Sequence, residues 1–409
     1  MNMAKISISF AFLIFYILFI MYGSLFPLAD WRMPEQSFII IWRQALGSHI
    51  SRSDLLTNIL AYIPIGFLLS AAWSSRIGPF KRIVRVTVVG LLLSCSLEFV
   101  QLFLSARTSS PLDVGLNTLS TLLGAVLFNW CGAETKFGSM FGDWRKNNVH
   151  SGTVADIGLL VIFLWGATQL APFVPSLDFG TVKDGIKPLW QTLHDISRFN
   201  LYRTVTYALS ISCLGAVHQL ICTYRGRALQ WLGLYCGSVL LLKPLIAGRQ
   251  ISLEAVVGLV FGMLVTVLLQ NLPKTGVMIA GGLSVACAFI LEELRPDAMT
   301  VALHPFNWIP FASQMAESMS GISTILEGLW PFVALGFYAV VHSAGGKKVS
   351  IFSGGAVLAG CVLALEYAQT GIAGRYPDIT LVLLAIVGWS IPMLLLHKNN
   401  HSNNGVQLN

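Results

Sequence analysis

The stretch LEFVQLFLSARTSSPLDVGLNT, residues 97–118, sets Glu98, Gln101, Arg107, Asp113 and Asn117 between two apolar runs. Each run is about 18 to 22 residues long, the length of helix that crosses a hydrocarbon core of roughly 30 Å. The polar segment is therefore a connection between two membrane-crossing helices. Composition agrees: 55% of the 409 residues are hydrophobic and 11% are charged, with a mean hydropathy of +0.70. Such a chain is not a water-soluble globule.

Outward from this connection, apolar stretches of similar length number about twelve, near residues 6–26, 54–73, 83–104, 113–131, 153–172, 200–222, 228–247, 252–270, 275–291, 323–343, 350–370 and 378–397. The ninth is the shortest. The first is read as a helix and not as a cleavable leader, because no small-residue cleavage site follows it. The fold class expected is an all-α integral membrane protein.

Lys and Arg concentrate in the short connections SSRIGPFKRIVR, KFGSMFGDWRK, TYRGRAL, LPKTG and GGKKVS, and Lys398 lies near the C-terminus. Basic residues in short loops stay on the cytoplasmic side, so both termini are expected in the cytoplasm. The long connections around residues 27–52, 173–198 and 292–322 then lie outside, together with the opening motif. The formal charge of +7 is accounted for by basic loops against anionic lipid, with no call for nucleic acid. Cys95, Cys131, Cys213, Cys222, Cys236, Cys287 and Cys361 all fall within or at the ends of apolar stretches, and the expectation is inert buried thiols without disulfides.

The chain also resembles itself. LEFVQLFLSARTSSPLD near residue 100 returns as LEYAQTGIAGRYPD near residue 370, and Glu98 with Glu366, Gln101 with Gln369, and Arg107 with Arg375 are all 268 positions apart. A three-residue deletion aligns Asp113 with Asp378, and PIGFLL around Gly66 answers VALGFY around Gly336. A degenerate middle copy has Arg249 and Glu254 in the Arg and Asp places, with Leu240 and Lys243 replacing Glu and Gln. The expected organisation is three parallel four-helix repeats, at residues 1–135, 150–272 and 275–398, followed by a polar tail at 399–409.

Helical spacing arranges the polar groups of the first repeat in three stripes: Asp54, Asn58 and Tyr62; Ser94, Glu98, Gln101 and Ser105; and Asp113, Asn117 and Ser120. Charge inside a bilayer costs at least about 2.5–3.5 kcal/mol on insertion scales, so these groups should face one another or a water-filled vestibule. Arg107 would hold a phosphate or carboxylate in its planar fork, with Asp54, Asn58, Gln101 and Asn117 orienting the ligand. Glu98 and Asp113 are the candidate acid/base residues. The structural alternative is a latch in which Arg107 pairs with Asp113 or Glu98. Glu366, Gln369, Arg375 and Asp378 form a possible second half-site. No metal-ligand spacing and no cofactor motif is recognised, and Lys243, late in its helix, is expected to snorkel outward.

DLLTNILAYIPIGFLL followed by LEFVQLFLSARTSSPLDVGLNTLSTLLGAVL resembles the VanZ-like family of bacterial membrane proteins, as do FNWIPF and LEYAQTGIAGRYPD in the third repeat. The first repeat departs from the family pattern in having FPLADWRMP where an N-x-I-P-F element is usual. The resemblance implies a bundle of four to five helices per unit and a role at the outer cell envelope, with glycopeptide (teicoplanin) resistance associated with one member. The expectation is a multipass protein of the bacterial cytoplasmic membrane, in contact with lipid, that binds or processes an anionic envelope component such as a lipid-linked glycan, a lipid headgroup or a glycan precursor. The alternatives are a membrane-embedded acid/base hydrolase or transferase, and a transporter or flippase.

Overall fold

The structure is a computed structural model, and it describes residues 8–34, 36–45, 52–73, 77–132, 135–176, 178–295, 302–316, 318–344 and 350–404. The helices are α1 (Ile8–Leu25), α2 (Phe38–Ala45), α3 (Arg52–Ala72), α4 (Pro79–Gln101), α5 (Pro111–Trp130), α6 (Lys136–Asn148), α7 (Thr153–Leu170) and α8 (Phe179–His194). They continue as α9 (Leu201–Ile221), α10 (Arg225–Leu242), α11 (Leu253–Leu269), α12 (Lys274–Leu294), α13 (Ala312–Ala316), α14 (Ser318–Ala344), α15 (Ile351–Gln369) and α16 (Ile379–Asn404). Among the described residues, nine helices are long and apolar enough to cross a membrane, and Tyr16–Leu25, Asn58–Ala72 and Leu253–Leu269 are shorter apolar helices. The protein is an all-α multipass membrane protein.

Several boundaries differ from the sequence reading for physical reasons. The ninth stretch, expected to stop near 291, runs as α12 to Leu294, because its last carbonyls are taken up by side chains described below. α16 continues to Asn404, into the stretch expected to be a polar tail. α2, α6 and α8 were not expected, being too short or too polar to span. α8 exposes Phe179, Ile186, Trp190 and Leu193, while Gly185 meets the Pro244 backbone; an amphipathic helix of this kind suits a bilayer surface. Cys131, Cys287 and Cys361 are exposed on the chain, contrary to the expectation of burial, and all seven cysteines are free.

Local chemistry sets the helix starts. Ser110 caps α5 by accepting from the Leu112 amide, with Pro111 at the first helical position. Asn200, Ser252 and Ser350 cap α9, α11 and α15 in the same way.

The chain divides into two compact units, Met1–Trp144 with Met315–Met319, and Arg145–Gln314 with Ser320–Asn409. In the first, α5 packs on α3 and α4, and α1 on α3 and α4. A Cβ added at Gly124 would lie 2.0 Å from the Ile63 carbonyl oxygen, and one at Gly66 equally close to that of Thr121. Only glycine permits that backbone approach. Lipid tails supply no hydrophobic drive between helices, so such close contacts and interhelical hydrogen bonds carry the association.

The second unit uses the same devices. α9 packs on α11 and α12, α7 on α9, α10 and α16, and α12 on α15. Tyr235 donates to the Ile162 carbonyl at 2.6 Å, Trp330 Nε1 to the Val161 carbonyl at 3.0 Å, and Tyr338 to the Cys213 carbonyl at 2.8 Å.

Candidate functional site

Three basic residues finish three helices. Arg107 donates from Nε to the Phe26 carbonyl at 2.8 Å and from Nη2 to the Gly23 carbonyl at 2.8 Å, both at the end of α1. Arg375 donates from Nε to the Arg295 carbonyl at 2.9 Å and from Nη2 to the Glu292 carbonyl, at the end of α12. Arg249 Nε donates to the Ala171 carbonyl at the end of α7, while its Nη2 reaches Glu327. The last four carbonyls of a helix have no intrahelical partner, and a cation there also meets the negative end of the helix dipole. Gln101 and Gln369 join the same junctions, donating to the Ser24 carbonyl at 2.9 Å and the Glu293 carbonyl at 3.1 Å.

The glutamates of the same motif hold helix starts. Glu98 accepts from the Ser110 amide at 2.7 Å and Glu366 from the Asp378 amide at 2.8 Å, each at the residue that precedes the next helix. The E-x-x-Q-x5-R spacing thus ties the end of one helix and the start of another to the helix that carries the Glu and Gln. Arg107, expected to grip a ligand or a carboxylate, spends two donors on backbone carbonyls.

In the first unit the three polar stripes come together. Asn58 donates to Asp113 at 2.8 Å, and Asn117 donates to Ser94 at 2.9 Å. Tyr62 also bonds Ser94 and stands near Glu98 and Asp113. Trp42 from α2 donates to Ser109 at 2.9 Å, and Ser109 also bonds Glu98. Gln101 turns away to α1. Asp54 lies on α3, but its side chain, like most of the GGKKVS connection, falls outside the described residues.

The second unit contains a cavity of about 560 Å³ at the ends of α7, α10, α12 and α15. Its cations are Arg203, Lys243, Arg249, Arg295 and Arg375, and its carboxylates are Glu292, Glu293, Glu327, Glu366 and Asp378. Three pairs neutralise internally: Arg249 with Glu327 at 3.1 Å, Arg295 with Glu292 at 3.4 Å, and Arg375 with Glu293 at 4.0 Å. Lys243 does not snorkel outward as expected. It is 4% exposed, and Nζ donates to Gln169 at 2.9 Å and the Tyr207 hydroxyl at 3.1 Å. Buried polar partners on α7 and α9 outweigh the interfacial pull on a lysine that ends its helix. The Arg203 guanidinium makes no hydrogen bond or ion pair among the described residues.

Glu366, Gln369, Arg375 and Asp378, the expected half-site, all line this cavity. Arg203, Glu292, Glu293, Arg295 and Glu327 were missed. Their signal was charge near the ends of apolar stretches, as in ILEELRP, which self-comparison passes over because the first repeat has no charged counterparts.

Residues 10–132, which run from within α1 to just past α5, are similar to the VanZ/LLP1 family model. No curated protein and no solved structure matches the chain.

Proposed function

We propose that this VanZ-like membrane protein engages an anionic component of the bacterial cell envelope, a lipid headgroup or lipid-linked glycan, from the outer face of the cytoplasmic membrane, and that the cavity of the second unit receives it. The observation that carries this reading is the buried Lys243, whose hydrogen-bond partners are both neutral, in a cavity that the exposed Arg203 also lines. A buried cation without a paired carboxylate is costly unless an anion joins it. The basic short loops support the outer side. The same logic relieves Arg107 of the ligand role and leaves it as the latch of α1.

The chain on this reading is three VanZ-like units, the middle one altered. Support comes from Arg107, Arg249 and Arg375, each of which donates Nε to the carbonyl of the residue that follows the first spanning helix of its unit. In the first repeat Asp113 is held by Asn58 and Asn117 by Ser94, whereas the cavity lies among residues of the second and third repeats.

Native mass spectrometry of the purified protein with co-purifying lipids tests the proposal, wild type beside Lys243→Met and Arg203→Ala. A defined phosphorylated lipid retained by wild type and lost from both variants is expected. Identical lipid populations in all three proteins would remove the anion from the cavity.

A further inference from the structure

We infer that the cavity of the second unit takes a zwitterion, a phosphate joined by a short spacer to a primary ammonium, as in a phosphoethanolamine headgroup. The inference rests on the proposed reading of that cavity and names its ligand class. Once the three internal ion pairs are set aside, Lys243 and Arg203 remain as cations and Glu366 and Asp378 as carboxylates. The cavity therefore holds two cations and two carboxyl groups outside those pairs, an inventory that a site built for a simple anion would not need.

The two signs are also segregated. Arg203 lies on α9 and Lys243 directly follows α10, whereas Glu366 lies on α15 and Asp378 directly precedes α16. α12 packs on both α9 and α15, and α7 on α9, α10 and α16, so the cations and the carboxyl groups come from different helices joined through α7 and α12. A plain anion at Lys243 and Arg203 would leave the spare acceptor oxygens of Glu366 and Asp378 in the cavity without a donor. A ligand with an ammonium at the α15 and α16 end removes that cost.

The carboxylates have acceptor capacity left. Glu366 is 3% exposed and spends one oxygen on the Asp378 amide. Asp378 receives the Thr380 amide at 2.8 Å on one oxygen and only long contacts from Ser313 at 3.3 Å and Gln314 at 3.4 Å on the other. An ionised carboxylate has about four acceptor sites and an ammonium three donors, so a primary amine fits where a quaternary amine, with none, does not. Arg375 also acts on Glu366, but it is engaged by the Arg295 and Glu292 carbonyls and by Glu293. Lys243 likewise acts on Glu327, which Arg249 already holds at 3.1 Å. Phosphate suits the other end, since the Arg203 fork and the Lys243 ammonium are both phosphate-binding groups.

Isothermal titration calorimetry on the full chain in detergent tests this with four short-chain lipids: phosphatidylethanolamine, its N-acetyl derivative, phosphatidylglycerol and phosphatidylcholine. The expected result is binding of phosphatidylethanolamine on the order of tenfold tighter than of the other three, the scale of a charge-assisted hydrogen bond. The Glu366→Gln variant, which keeps an acceptor for the Asp378 amide, should reduce that preference by weakening phosphatidylethanolamine, while phosphatidylglycerol binds at least as tightly as to wild type. The N-acetyl probe alters only the ligand, so its outcome stands whatever the variant does to folding. Soluble O-phosphoethanolamine binding as tightly as the lipid would support the same chemistry from a soluble source, and weaker binding would assign it to the lipid. Equal binding of phosphatidylethanolamine, its N-acetyl derivative and phosphatidylglycerol would overturn the zwitterion and leave the anion site standing. Equal binding of phosphatidylcholine would overturn the primary ammonium. No binding of any phosphate probe, with Lys243→Met indistinguishable from wild type, would overturn both this inference and the reading beneath it.

Discussion

Replacing Arg107 separates a helix latch from a ligand residue. In Arg107→Ala the Phe26 and Gly23 carbonyls lose donors at 2.8 Å each. Hydrogen bonds involving a charged group contribute about 1.5–3 kcal/mol apiece. Arg107 is half-buried, so solvent takes over part of that, and the expected loss is about 2–4 kcal/mol for the pair. Spread over a unit of this size, it lowers the apparent unfolding midpoint by roughly 5–15 °C. Arg107→Lys keeps the charge at the end of the α1 dipole but not the two-pronged geometry, and should fall between. The assay is thermal unfolding of the purified protein in detergent, with lipid retention measured on the same samples. Arg375→Ala should behave similarly, because its guanidinium takes the Arg295 and Glu292 carbonyls in the same pattern. An unchanged midpoint in Arg107→Ala with loss of a bound lipid would refute the latch and return Arg107 to the ligand site.

Further expectations follow from other contacts. Gly124→Ala puts a Cβ 2.0 Å from the Ile63 carbonyl oxygen, so α3 and α5 must separate; a loss of about 1–3 kcal/mol is expected in the same unfolding assay. Glu327→Gln breaks the pair with Arg249, but the Glu327 side chain is 52% exposed, so the loss should stay under about 1 kcal/mol, as a double-mutant cycle with Arg249→Gln would measure. Asp195 precedes a short 3-10 turn, and bonds from Ser197 and Arg198 hold its carboxyl below the usual range. A depressed carboxyl favours the folded turn above its ordinary range, and this contribution is lost as pH falls through the folded value. The protection factor of the Ser197 amide, taken relative to intrinsic exchange at each pH, should therefore fall in acid, and Asp195→Asn should abolish that fall.

The spans were legible because an apolar run long enough to cross a bilayer leaves little choice of structure. The E-x-x-Q-x5-R element was equally visible, but its role was not. Nothing in the spacing of Glu98, Gln101 and Arg107 reveals that their partners are backbone groups at Ser110, Ser24, Phe26 and Gly23, since backbone acceptors carry no sequence signature. Glu366, Gln369, Arg375 and Asp378 were picked out by their likeness to the residues around Arg107, whereas the rest of the cavity they line comes from residues with no counterpart there. Lys243 illustrates the limit. A lysine at a helix end reads as interfacial, and only the packing of α7 and α9 around it brings Gln169 and Tyr207 within hydrogen-bond reach.

The central claim is that an anion joins Lys243 in the cavity, and the most direct test is a cryo-electron microscopy map of the chain in nanodiscs of bacterial lipid. The account predicts density for a phosphate-sized group contacting both Lys243 Nζ and the Arg203 guanidinium. A cavity holding only water, with Lys243 still bonded to Gln169 and Tyr207 alone, would contradict it.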